Sequence, residues 1–283
     1  MSTTPIRNAF SIDVEDYFQV SALAPHFPRQ IWDQQPCRVE RNVDRMLEIL
    51  EDSQVHATFF TLGWVAERYP DMVKRVVAGG HELASHGYGH QRASDLSRDE
   101  FFDDITRAKK ILEDLGGQVV IGYRAPSFSI GENNLWALDL LGEAGYQYSS
   151  SIYPIRHDHY GMPNAPRFAF RPSDSMSLLE LPATTIRLFN RNLPAAGGGY
   201  FRLLPYQMSR WSINRVNNVD KQPCIFYCHP WEIDPDQPRP HGMTFKTRFR
   251  HYVNLGRTES RLRSLLKDFR WGRVDQIFLE KAN

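Results

Sequence analysis

A disulfide framework is the first thing this sequence lacks. Its three cysteines, Cys37, Cys224 and Cys228, are odd in number and spaced for no such network. Cys224 and Cys228 fall in the apolar run 223–228, where a free thiol behaves as a small hydrophobe, and a reducing compartment follows. An excess of one charge is missing as well. The chain has 34 basic and 33 acidic residues and a formal net charge of +1, which excludes the electrostatic footprint of a nucleic-acid partner or a charged membrane surface. No run reaches the ~18 apolar residues of a membrane span, and residues 1–9 lack the apolar stretch of a signal peptide. The expectation is a soluble, cytoplasmic protein; oligomeric state leaves no mark. Repeats and low-complexity tracts are also absent. What is present is core material. Hydrophobic residues make up 41% of the 283 positions and aromatics 12%, enough for one large α/β domain.

Apolar spacing predicts alternating strands and helices. Residues 8–14 read as a strand, and 38–53 as a helix with Val43, Met46, Leu47 and Leu50 on one side. Residues 55–62 form a second strand. A helix over 64–78 is stopped by Gly79-Gly80, and 81–85 form a third strand. Phe101, Ile105, Ala108, Leu112 and Leu115 make a helical stripe whose start is marked by Ser97 and Glu100, a capping box. A strand at 119–123 and a helix at 134–144 follow. Strand–helix alternation with short connections implies right-handed βαβ units and a parallel sheet, with chemistry at the C-terminal strand ends. Beyond about Tyr148 the alternation loosens. Residues 153–172 read as a long loop, 178–188 and 225–228 as strands, and 205–216 and 259–269 as helices.

Three clusters stand at predicted strand ends. Asp13, Glu15 and Asp16 put three carboxylates within four residues, a mutual repulsion that a cation or shared proton must relieve when partly buried. His86 and His90, at i and i+4, suit one face of a helical turn and offer imidazoles to a metal. His81 reads instead as a buried, hydrogen-bonded histidine. His229 ends the apolar run 225–228 and is placed to act as a general acid.

Together these pieces resemble the polysaccharide deacetylases of the NodB-homology type, carbohydrate esterase family 4. The resemblance rests on Asp13-Val14-Glu15-Asp16, Thr58 to Gly63, Gly80 to His86 with His90, Arg124-Ala125-Pro126, and Cys228-His229-Pro230, five motifs in order over residues 8–230. Ser11 to Phe18, Arg124 to Ser129 and His229-Pro230-Trp231-Glu232 are similar to a subgroup encoded with exopolysaccharide and exosortase loci. The resemblance implies a distorted (β/α)7-type barrel over 8–230. A C-terminal extension, 231–283, would pack on it to make a single catalytic domain, 1–283.

It further implies one divalent cation, of the zinc type, held by His86, His90 and a carboxylate. The common motif has adjacent aspartates, base then ligand, and Asp13 matches the base. A neighbouring subgroup uses Asp-x-Asp, which makes Glu15 the ligand. Strand alternation also puts Asp13 and Glu15 on one face. Asp16 is the other choice. Arg124 would hold Asp13 ionised, the Ser127 N–H would meet the oxyanion, and His229 would protonate the departing amine. Ser127 replaces the family's usual tyrosine. The aspartate that tunes the histidine has only hydroxyls in its place, within 146–151. Trp231, Tyr88 and Phe128 are candidate sugar-stacking surfaces. The implied reaction is N-deacetylation of an acetylated amino-sugar oligomer or polysaccharide, an exopolysaccharide or its precursor. An allantoinase-like amide or ureide hydrolase and a non-catalytic carbohydrate-binding protein are the rival readings.

Overall fold

A computed structural model describes residues 5–157, 161–173, 177–195 and 197–279. The elements run β1 (Arg7–Val14), α1 (Val39–Asp52), β2 (Thr58–Thr61), α2 (Gly63–Arg68), α3 (Pro70–Ala78), β3 (Glu82–Ser85), α4 (Arg98–Gly116), β4 (Gly122–Tyr123), α5 (Trp136–Glu143), β5 (Tyr148–Ser149), β6 (Leu179–Glu180), β7 (Thr185–Leu188), β8 (Arg191–Pro194), α6 (Gly198–Leu203), α7 (Tyr206–Arg215), β9 (Ile225–Cys228), α8 (Phe245–Tyr252), α9 (Leu255–Asp268), β10 (Arg270–Gly272) and α10 (Val274–Phe278).

The sheet grows around β1. Its residues Asn8 to Val14 are all buried, as expected of a parallel strand covered on both faces. Ser11 to Val14 pair with β2, and Ala9 to Ile12 with β9 on the other side. From β2 the parallel ladder continues through β3, β4 and β5 to β6. The path β9-β1-β2-β3-β4-β5-β6 is a curled, parallel, seven-stranded partial barrel wrapped by helices, the (β/α) architecture the motifs implied. Ile225 N donates to Thr184 Oγ1 at 2.8 Å, which ties the segment after β6 back to β9.

Helix boundaries follow the sequence closely where caps exist. Ser97 and Glu100 form the anticipated capping box of α4, and Gly117 ends it in the left-handed region at φ 64. Departures have local causes. The single helix expected over 64–78 breaks at Tyr69, because Pro70 can start a helix but not continue one. The strand expected over 178–188 is split around Pro182 into β6 and β7, and β7 leaves the main sheet to form a hairpin with β8. In the long loop over 153–172, residues 158–160 lie outside the described residues. The segment after residue 230 does more than cover the barrel. Its β10 joins the main sheet beside Arg7 to Ala9. Among the described residues, no helix is long and apolar enough to cross a membrane. All three cysteines are free, Cys224 and Cys228 buried.

Two carboxyls away from the strand-end clusters are also buried. Burial pushes both Glu82 and Glu180 up to about 7. Glu180 Oε1 accepts the Ser151 and Ile152 N–H groups at 2.9 and 2.8 Å, a role that a neutral carboxyl or an amide fills equally. A folded-state value above the unfolded one means that stability is fully present at low pH and lost as pH rises through about 7. Glu180→Gln is therefore expected to lose less stability than the parent between about pH 5 and pH 8, read from urea midpoints at the two pH values. Parallel losses in both proteins would refute the burial argument.

Candidate active site

Four strand ends deliver the site. Asp13 lies at the end of β1, and Glu15 follows that strand. His86 follows β3, Arg124 follows β4 and His229 follows β9. Asp13, Glu15, His86 and His229 face one cavity of ≈ 520 Å³, which His90, Ser127, Phe128 and Trp231 also line, while Arg124 is buried behind it.

Asp13 and Arg124 are both buried, and Arg124 Nη1 donates to Asp13 Oδ1 at 2.6 Å. The same Nη1 reaches Ser11 Oγ at 2.9 Å, and Nη2 reaches Ser150 Oγ at 3.1 Å. The guanidinium lies 4.1 Å from the centre of the Phe60 ring. A charge so fully surrounded orients its carboxylate partner rigidly. Asp13 Oδ2 turns the other way, 3.9 Å from His229 Nε2.

Glu15, His86 and His90 bring one oxygen and two ring nitrogens within 4.8 Å of one another. His90 Nε2 is 2.6 Å from Glu15 Oε2. That oxygen is buried and makes no hydrogen bond, a costly state for a carboxylate unless something else satisfies it. His86 Nδ1 must donate to the Arg124 carbonyl at 2.8 Å, so its Nε2 carries the lone pair. Burial pushes His86 down to about 4, leaving it neutral. Burial alone would raise Glu15, but His90, His229 and His86 outweigh it and hold the carboxyl well below the usual range. One carboxylate and two imidazoles, with an oxygen among them that lacks a hydrogen bond, fit a zinc-type cation.

The turn that joins the two imidazoles is not the helical one expected. Residues 86–90 are a bend in which Gly87 and His90 take φ values of 74 and 53. Ser127 and Phe128 are also left-handed, at φ 57 and 50. Consecutive non-glycine residues in that region are strained, and such strain gathers at functional sites.

Asp16 does not join the cluster. Its Oδ1 accepts the Tyr17 N–H and its Oδ2 accepts the Arg38 and Val39 N–H groups, so it caps the start of α1 instead. Tyr88 is also elsewhere. Its hydroxyl donates to Glu67 at 2.7 Å, its ring carries Arg107 at 3.5 Å, and it does not line the cavity. Trp231 lines the cavity but offers no face to a sugar. It is 4% exposed, His229 and His251 stack on it at ring distances of 5.2 and 4.4 Å, Arg202 lies 5.1 Å from the ring, and its Nε1 donates to Glu15 Oε1 at 3.1 Å. Phe128 stays at the wall, packed on Tyr227 and Tyr153.

The histidine's missing partner turns out to be Glu232, three residues on. Glu232 Oε1 lies 2.6 Å from His229 Nδ1, and Arg202 Nε pins its other oxygen at 2.6 Å. Burial works to lower His229, but Glu15, Glu232 and Asp13 outweigh it and raise it to about 9. The signal was present as an N-cap followed by Glu at the third position, which the structure uses as a capping box. Arg202 left no local signal.

Residues 30–149 match the family described as polysaccharide deacetylase. The chain carries a polysaccharide deacetylase domain. Residues 150–279 match a domain of unknown function, DUF3473. A peptidoglycan-N-acetylglucosamine deacetylase of Bacillus cereus is 36% identical over 96 residues, 34% of this chain and 35% of that protein. A peptidoglycan deacetylase of Helicobacter pylori is 29% identical over 40% of this chain and 38% of its own length. The match thus spans little more than a third of these relatives. Among solved structures, a Mycobacterium smegmatis protein described as a polysaccharide deacetylase superposes with a TM-score of 0.63 at 20% identity, covering 97% of this chain and 93% of the other. The PuuE allantoinase superposes at 0.60 with 16% identity, covering 98% and 93%. Both likenesses speak to the fold. The two matched regions meet in this site: His86 and Arg124 lie within residues 30–149 and His229, Glu232 and Arg202 within residues 150–279, while Asp13 and Glu15 precede both.

Asp16→Ala is expected to destabilise the fold by about 1–3 kcal/mol, since three backbone donors lose their acceptor, measured by chemical denaturation. A loss below about 0.5 kcal/mol would show that water replaces the carboxylate there.

Proposed function

We propose that this protein is a metal-dependent hydrolase that removes N-acetyl groups from amino sugars of a saccharide, and that the whole chain acts as one catalytic unit. The carrying observation is that Asp13, held by Arg124, and His229, held by Glu232, meet the Glu15, His86 and His90 donors in one open cavity. The relatives named as peptidoglycan deacetylases support the same chemistry, as does a chitooligosaccharide deacetylase of Bradyrhizobium, 28% identical over 96 residues.

Glu15, His86 and His90 would hold the cation, which when bound supplies Lewis acidity to the acetyl carbonyl and lowers the pKa of water towards ~7. Asp13 serves as the base. Arg124 occupies Oδ1, so Oδ2 is the oxygen that accepts the proton of the attacking water. The Ser127 N–H, on the strained turn at the cavity wall, meets the charge that develops on the carbonyl oxygen. His229 is charged at neutral pH. Its Nδ1 is tied to Glu232, so Nε2 delivers the proton to the leaving amine. Acetate and a free amine result.

Purified protein is expected to contain about one zinc-type ion per chain and to release acetate from N-acetylglucosamine oligomers. Chelation abolishes the release and metal restores it. Asp13→Asn should keep the metal yet lose turnover by a factor on the order of 10²–10⁴, and unchanged turnover would reject the base. His86→Ala should lose the metal, and full occupancy by elemental analysis would reject that ligand. A ureide panel run alongside tests the rival chemistry. Turnover of ureides without acetate release would replace the deacetylase reading.

A further inference from the structure

The acidic floor of the cavity has a use in the proposed reaction; its cationic rim does not. Asp13 and Glu15 are the only carboxylates lining the cavity among the described residues, whereas Arg92, Lys246 and Arg250 all line it. Lys246 and Arg250 stand four apart on α8 and so share a face. Arg92 is half-buried and Arg250 exposed. Neither makes an ion pair or hydrogen bond among the described residues. A neutral saccharide offers these guanidinium groups no counter-charge, whereas a phosphate or carboxylate on the ligand would supply one.

Beside Arg250 lies an annex of ≈ 210 Å³ walled by Tyr200, Leu203, Phe249 and Val253. Arg250 and Tyr227 line both spaces, so the annex adjoins the catalytic cavity. No acidic side chain lines it among the described residues. Leu203 and Phe249 are 45% and 47% exposed, and Phe245, 83% exposed, stacks on Phe249 at a ring distance of 6.2 Å. An apolar groove and large exposed rings beside a polar centre mark a surface that a ligand covers. An acidic sugar would meet the arginine but leave the annex bare. A phosphate linkage that continues into an apolar chain fills both.

We propose that the acetylated sugar reaches this site as the headgroup of an amphipathic glycoside, with its phosphate linkage at Arg250 and its apolar chain in the Tyr200–Leu203–Phe249–Val253 annex. This rests on the deacetylase reading and adds the substrate class to it.

The test uses the metal-loaded full chain and three probes: a neutral N-acetylglucosamine tetramer, a uridine diphosphate N-acetylglucosamine, and N-acetylglucosamine on a short prenyl diphosphate. The prenyl conjugate is expected to show kcat/KM about tenfold or more above the tetramer. Arg250→Ser and Phe249→Ser, both at exposed positions and checked for folding by circular dichroism, should bring that ratio towards one. Equal kcat/KM for prenyl conjugate and tetramer overturns the inference while acetate release from both leaves the deacetylase reading standing. A nucleotide sugar as good as the prenyl conjugate overturns the apolar half. No acetate from any probe sinks the deacetylase reading itself.

Discussion

Burying two carboxylates two residues apart at the end of the central strand is the constraint from which the site follows. Asp13 and Glu15 leave β1 on the same face and are each almost wholly out of water. Two such charges side by side are tolerable only if each has its own partner. The fold supplies Arg124 to the first and sets the second against His90 and the Trp231 N–H. That division makes them chemically different. One oxygen of Asp13 is locked, leaving the other to move a proton. One oxygen of Glu15 takes the Trp231 N–H, leaving the other without a hydrogen bond.

The same economy governs the second half of the chain. Glu232 would be a third buried acid near the first two, and Arg202 neutralises it from α6. Arg202 in turn reaches the His251 and Val253 carbonyls at the end of α8. His251 closes the stack on Trp231 and is pushed down to about 3 by burial, so it adds no charge. The region matched by DUF3473 therefore contributes the imidazole, its carboxylate, the arginine behind it and one wall of the cavity.

Much of the barrel was legible because each buried parallel strand is a short apolar run and each covering helix a 3.6-residue stripe ended by glycine or opened by a cap. β1, α1, α4 and β9 appeared where their patterns put them. β10 and α10 escape the pattern because their neighbours lie far away in sequence. Three residues of β10 become a strand by pairing with Arg7 to Ala9, some 260 positions earlier, and α8 is mostly exposed, without the stripe that announces a buried helix. At the site, Asp13, Glu15, His86, His90, Arg124 and His229 were all named from motifs. The motifs alone do not choose between Glu15 and Asp16, and they suggest stacking surfaces at Trp231 and Tyr88 that the geometry does not provide.

Residue order alone was enough to say that carboxylates, imidazoles and an arginine gather at strand ends, because in a parallel sheet every strand delivers its last side chains to the same rim. It could not say which groups share a partner. That Asp16 caps a helix, that Trp231 is shielded by His251 and that Arg202 backs Glu232 depend on contacts between segments 20 to 30 residues apart. Hydrogen bonds and ring stacking act over a few ångströms in space, and only the folded chain sets those distances.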